Sequence, residues 1–197
     1  MKNRWLAVTL VSMIVSCQGA TGNLPAERTT EVQEGFVDQD VRDAARIIED
    51  RPGYADAYVY RGMAYVRKGD YDRAIQDFTK AIELNPKAAS TYGKRGAALL
   101  EKGAVEEAIE DLTKAIELYP RFAQAYYNRG NAHLSKGNYT QAVQDFTAAI
   151  EIYPGHAKAY YGRAKAYHGK RLYNMAAQDF RQAFNLGDED ALRSSER

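Results

Sequence analysis

From Ala55 onward the apolar residues fall on two stripes of helical spacing. Tyr58, Gly62 and Tyr65 stand at i, i+4 and i+7, one face of a helix. Ala74, Phe78 and Ala81 repeat that spacing, and Gly69 lies between the two runs. The pattern predicts a pair of helices joined by a tight turn at the glycine. Pro86 ends the second helix, because proline has no N–H to give and disfavours helix in the residue before it. Small residues at Gly62 and Ala74 let the two helices approach closely.

The pattern then recurs. The phrases AYVYRGMAYVRKGDYDRAIQDFTKAIELNP, TYGKRGAALLEKGAVEEAIEDLTKAIELYP and AYYNRGNAHLSKGNYTQAVQDFTAAIEIYP end at Pro86, Pro120 and Pro154, 34 residues apart. A looser copy starts at Ala159. With each unit counted from Ala55, Ala89, Ala123 and Ala157, position 4 holds Tyr58, Tyr92, Tyr126 and Tyr160. Position 8 holds Gly62, Gly96, Gly130 and Ala164, and position 24 holds Phe78, Leu112, Phe146 and Phe180. Alanine fills positions 20 and 27 of every unit. These residues, at these offsets, resemble the tetratricopeptide repeat. The resemblance implies an all-α fold, an α-solenoid of antiparallel helix pairs with four repeats plus capping helices. The physics agrees, since one pair cannot bury its apolar face alone and must stack on a neighbour. The units are 55–88, 89–122, 123–156 and 157–188. The fourth departs from the pattern, with Arg171 where the others have the turn glycine and Asp188 in place of proline. Upstream, residues 37–52 (ending at Pro52, again 34 before Pro86) predict a capping helix or half-repeat. Residues 189–197 read as a polar C-terminal tail.

The start of the chain is an address. Lys2 and Arg4 precede an apolar run from Trp5 to Val15, as in a secretory signal. The run is short of the roughly 20 residues a membrane span needs. Ile14-Val15-Ser16-Cys17 resembles the lipobox of bacterial lipoproteins. That likeness implies removal of residues 1–16 and lipid attachment at Cys17. Two or three acyl chains would anchor the protein stably, at about 0.8 kcal/mol per buried CH₂. A plain cleaved signal with a bystander cysteine is the alternative; it puts Gln18 at −3 of a cut after Ala20, a poor site. Gln18 rather than Asp after the cysteine points to an exported protein on the outer membrane, facing the periplasm. Residues 17–36 show no apolar period and read as a flexible linker, spanning roughly 25 Å at about 5–6 Å × √n.

Charge narrows the function. There are 27 basic and 26 acidic residues, net +1, which gives no electrostatic footprint for nucleic acid. One cysteine excludes an internal disulfide. His133, His156 and His168 have no metal-ligand spacing, and His133 takes a core slot usually held by tyrosine. No phosphate loop or nucleophile motif occurs, so no enzyme, cofactor or metal is expected.

Two further patterns bear on binding. Arg recurs at position 7 (Arg61, Arg95, Arg129, Arg163) and Asp at position 23 (Asp77, Asp111, Asp145, Asp179). Both lie about 12 Å from the turn at 1.5 Å per residue, so they should meet as a structural ion-pair ladder; a charged ligand site is the alternative. In the resembled family, ligands contact the first helix of each repeat. Here that face offers Val59, Met63, Val66, Tyr127, Asn131, Tyr161 and Lys165 as the peptide groove. Tyr127 and Tyr161 serve either peptide recognition or packing between repeats, and the sequence leaves both open. The expected function is a membrane-tethered scaffold that binds another envelope protein or peptide segment. The alternative is a self-assembling structural protein without a foreign ligand.

Overall fold

A computed structural model of the chain describes residues 26–188. The chain divides into residues 1–36 and residues 37–197. Of the first unit, the description covers helical backbone from Ala26; the second holds the repeats. The described residues form helices only: α1 Ala26–Asp50, α2 Ala55–Arg67, α3 Tyr71–Leu84, α4 Ala89–Lys102, α5 Val105–Leu118, α6 Ala123–Ser135, α7 Tyr139–Ile152, α8 Ala157–Gly169 and α9 Tyr173–Asn185. From α2 on they are the antiparallel pairs of an all-α solenoid, each pair stacked on the next.

One expectation changes. Residues 17–36 read as flexible linker, yet α1 already begins at Ala26. Residues 26–34 are mostly good helix formers (Ala, Glu, Arg, Gln) without an apolar stripe. A search for hydrophobic period therefore passes over them. Cys17, residues 1–16 that the sequence reads as a signal, and the tail 189–197 lie outside the described residues.

The turns explain themselves residue by residue. Gly69, Gly103 and Gly137 adopt φ of 73°, 88° and 73°, the left-handed region that glycine enters freely. Arg171 takes the same turn at φ 62° without that freedom. Asp70 opens α3 by accepting a hydrogen bond from the Arg73 amide at 3.2 Å.

The core is tighter than the stripe of large residues suggests. Its fully buried positions on the first helices include the alanines at positions 3 and 10, such as Ala57, Ala125, Ala64 and Ala132. The tyrosines at position 4 are buried to half-buried, keeping the phenol near water. Small residues let the helices close on the large side chain at position 24. A Cβ added at Gly130 or Gly162 would stand 2.9 or 2.5 Å from the Phe146 ring. The two ends of the stack differ. Ile82 and Ile150, at position 28, are 9% and 8% exposed beneath the following repeat. Phe184, their equivalent in the last repeat, is 44% exposed, and Tyr173 on the same helix is 58% exposed.

Candidate functional site

All four Arg–Asp pairs form, each as a two-pronged fork. Arg61 Nε and Nη2 donate to Asp77 at 2.8 and 2.7 Å. Arg95 reaches Asp111 at 2.7 and 2.7 Å, Arg129 reaches Asp145 at 2.9 and 2.7 Å, and Arg163 reaches Asp179 at 2.7 and 2.9 Å. The aspartates are buried. Their hydrogen bonds raise the Arg61, Arg95 and Arg129 pKa values. Each guanidinium also lies 5.5 to 5.8 Å over the position 4 tyrosine one turn earlier. The third prong was not read from the sequence. Nη1 of Arg95, Arg129 and Arg163 donates at 3.0 Å to Thr79, Thr113 and Thr147 on the preceding repeat. One arginine therefore ties three helices. Arg61 has no such bond, because Ala45 stands 34 residues before Thr79. Threonine at position 25 of three repeats was the available signal.

A second ladder joins successive repeats on the surface. Lysine fills position 14 throughout. Lys102 meets Asp72 at 2.6 Å, Lys136 meets Glu106 at 2.6 Å, and Lys170 donates to Thr140 at 3.2 Å. Lys68 meets Asp38 of α1 at 2.5 Å with the same separation of 30 residues. Residues 37–50 thus take the place of a second helix in a preceding half-unit. The Tyr58 hydroxyl adds to this junction, donating to the Pro52 carbonyl at 3.1 Å.

The groove positions are distributed unevenly. Tyr127 and Asn131 line a cleft of about 350 Å³ between α4 and α6, with Ala97, Leu100, Val105 and Asn128. Glu101 and Ser135 complete its rim. The Asn128 carboxamide accepts from Gln124 at 3.0 Å, which leaves its NH₂ to donate. Asn131 has neither amide group committed to another described residue. Tyr127 is half-buried, its ring 4.8 Å from His156 and 6.0 Å from Phe146. It both packs the repeat junction and walls the cleft. Tyr161 is likewise half-buried, 5.6 Å from Phe180, with the Lys165 ammonium 5.2 Å over its ring. It lies one repeat beyond the cleft. Val59 and Val66 pack against the core around Phe78, and Met63 is exposed. These three and Tyr161 and Lys165 are not among the residues that line the cleft.

In the second and third repeats position 34 returns to position 5 of the same unit. Gly93 leaves room for Phe122, with an added Cβ only 2.9 Å from its ring. Tyr127 instead meets His156. His133 is half-buried, and burial lowers its pKa, as it does for His156. Its Nδ1 is buried without a hydrogen-bond partner. Among the described residues, no three His, Cys, Asp or Glu side chains gather as metal ligands. No described helix is long and apolar enough to cross a membrane.

Stacked antiparallel helix pairs, pinned by repeating forks and with a cleft between α4 and α6, define a helical-repeat interaction scaffold. Models of the tetratricopeptide repeat match residues 55–88, 94–157 and 127–190, about two thirds of the chain, and the chain belongs to that family. Proteins of this family are generally scaffolds for protein–protein interaction rather than enzymes. No curated protein matches the chain in sequence. Among solved structures, a crystal structure of MamA is 26% identical over 87% of this chain and 99% of that one, with a TM-score of 0.73. The TPR domain of Arabidopsis OM64 is 29% identical over 58% of this chain and 94% of that one, with a TM-score of 0.57. YrrB, described as a TPR protein with an unusual peptide-binding site, is 24% identical over 87% of this chain and 89% of that one. Its TM-score is 0.70, and the likeness is one of fold.

Proposed function

We propose that this protein is a membrane-tethered scaffold of the bacterial cell envelope that holds a peptide segment of a partner protein in the cleft between α4 and α6. The cleft carries the reading. It combines an apolar floor (Ala97, Leu100, Val105) with a rim of carboxamides from Asn128 and Asn131. That combination suits an extended chain, whose side chains seek the floor and whose backbone needs hydrogen-bond partners. The tether rests on the lipobox-like residues Ile14 to Cys17, and Gln18 favours the outer membrane.

Two measurements test it. A photo-crosslinking residue placed at Asn131 should give a discrete adduct in whole cells, whereas one at exposed Lys114 on α5 should not. The same crude pattern from both positions would remove the cleft from consideration. For the tether, Cys17→Ala should abolish acyl labelling and release the protein from the membrane fraction.

Exposed apolar residues along α9 (Tyr173, Met175 and Phe184) and Leu186 just beyond it favour a second reading, stacking between copies of the chain. Sedimentation over a wide concentration range separates the two. A monomer at every concentration eliminates self-assembly.

A further inference from the structure

Charge is not spread evenly over the repeats. Residues 157–188 carry Lys158, Arg163, Lys165, Lys170, Arg171 and Arg181 against only Asp179 and Asp188. Asp179 is already committed to Arg163. The helix α8 itself has no acid, whereas Lys68, Lys80, Lys102, Lys114 and Lys136 in the earlier repeats each meet a carboxylate. Lys158 and Lys165 make no ion pair among the described residues, and both are exposed.

Their placement is specific. Lys158, Tyr161 and Lys165 are spaced i, i+3 and i+7, one face of α8. Tyr161 and Lys165 occupy the positions that Tyr127 and Asn131 hold in α6, where those two line the cleft. The basic face is therefore the cleft's own surface continued by one repeat. The Lys165 ammonium stands 5.2 Å over the Tyr161 ring, a cation–π contact that keeps the charge on this face. At the opposite side of the cleft stands Glu101, an acid with no ion pair among the described residues. Among the residues of this surface, Glu101 lines the cleft from α4, the neutral carboxamides of Asn128 and Asn131 line it from α6, and Lys158 and Lys165 continue it on α8.

We infer that the segment bound in the cleft carries acidic residues at the end that reaches α8, where Lys158 and Lys165 receive them. This rests on the scaffold reading above and names the chemistry of its partner. A cleft that leads into the basic face admits an extended chain, whereas an anionic bilayer has no counterpart to the cleft. Complementary charge here selects the partner and its direction more than it adds affinity.

The experiment uses the full chain and fluorescein-labelled peptides of an apolar-neutral half followed or preceded by a run of glutamates. Control peptides carry glutamines in their place. Fluorescence anisotropy should show one of the glutamate peptides binding about tenfold tighter than its glutamine control, the size of two exposed charge contacts. Lys158→Gln with Lys165→Gln should remove that preference, as should raised salt. Circular dichroism checks that the double variant folds. Equal binding of both peptide types overturns the inference and leaves the scaffold reading standing. Failure of every peptide to bind overturns the inference too, and the crosslink at Asn131 then judges the scaffold. A preference that survives the double substitution places the charge elsewhere. Vesicles containing phosphatidylglycerol, bound through the two lysines with no peptide preference, would reassign the face to a membrane.

Discussion

Arg95 shows how much one side chain does in this fold. It forks onto Asp111 in its own repeat, donates to Thr79 in the repeat before, and covers the Tyr92 ring. Removing Asp111 strands that guanidinium with its desolvation uncompensated. Asp111→Ala should cost about 3 kcal/mol, the lower end for breaking a buried pair because Arg95 keeps some contact with water. Urea unfolding measures it, and an unchanged midpoint would refute the ladder's structural role. His133 offers a pH test at the same scale. Burial lowers its pKa, so the folded state holds the proton more weakly than the unfolded chain. Asp145 opposes the shift, while Arg129 and Lys136 reinforce it. Stability from this residue is therefore full above the unfolded value of 6.5 and is lost as pH falls through the lower folded value. Position 11 is tyrosine in Tyr65 and Tyr167, so His133→Tyr is the natural replacement. It should flatten the fall in melting temperature between neutral and mildly acidic pH.

At the scale of the element, four turns share one conformation and three have the residue suited to it. Arg171 adopts φ 62° where Gly69, Gly103 and Gly137 stand in the other repeats. A left-handed residue with a Cβ costs roughly 1–2 kcal/mol, partly offset by the entropy glycine loses on folding. Arg171→Gly should therefore stabilise the last helix pair by about 1 kcal/mol, read as a higher unfolding midpoint. The helices themselves were legible because their stripes and turn residues are local. Their closest contacts were not. Position 4 tyrosines look like the core, but the alanines at positions 3 and 10, such as Ala64 and Ala132, are the more completely buried. Helix α1 was legible only over its second half, where the half-repeat pattern lies.

Across the whole molecule, stability should behave as a chain of nearest-neighbour interfaces. Residues 37–50 close one end of that chain through Asp38–Lys68 and the Arg67–Asp40 pair, with Tyr58 bonded to Pro52. A protein beginning at Gly53 loses all three. Hydrogen exchange should then quicken in α2 and α3 while protection in α6 and α7 stays as it was. Uniform loss of protection would mean the stack unfolds as one unit. The polarity proposed for the binding face also belongs to this scale. It arises from Glu101 and Lys165, residues on separate repeats.

The 34-residue period determined by itself the helix pairs, their turns and the partners in the Arg–Asp ladder, since each is written within one unit and copied. Tertiary structure decided the rest. Thr79 could be assigned to Arg95 only once one repeat was laid on the next. Positions 5 and 34 of one repeat likewise meet only in the folded chain: Phe122 against Gly93, His156 against Tyr127. Patterns of propensity and spacing act along the chain, but the depth of a groove is set by side chains that meet across it.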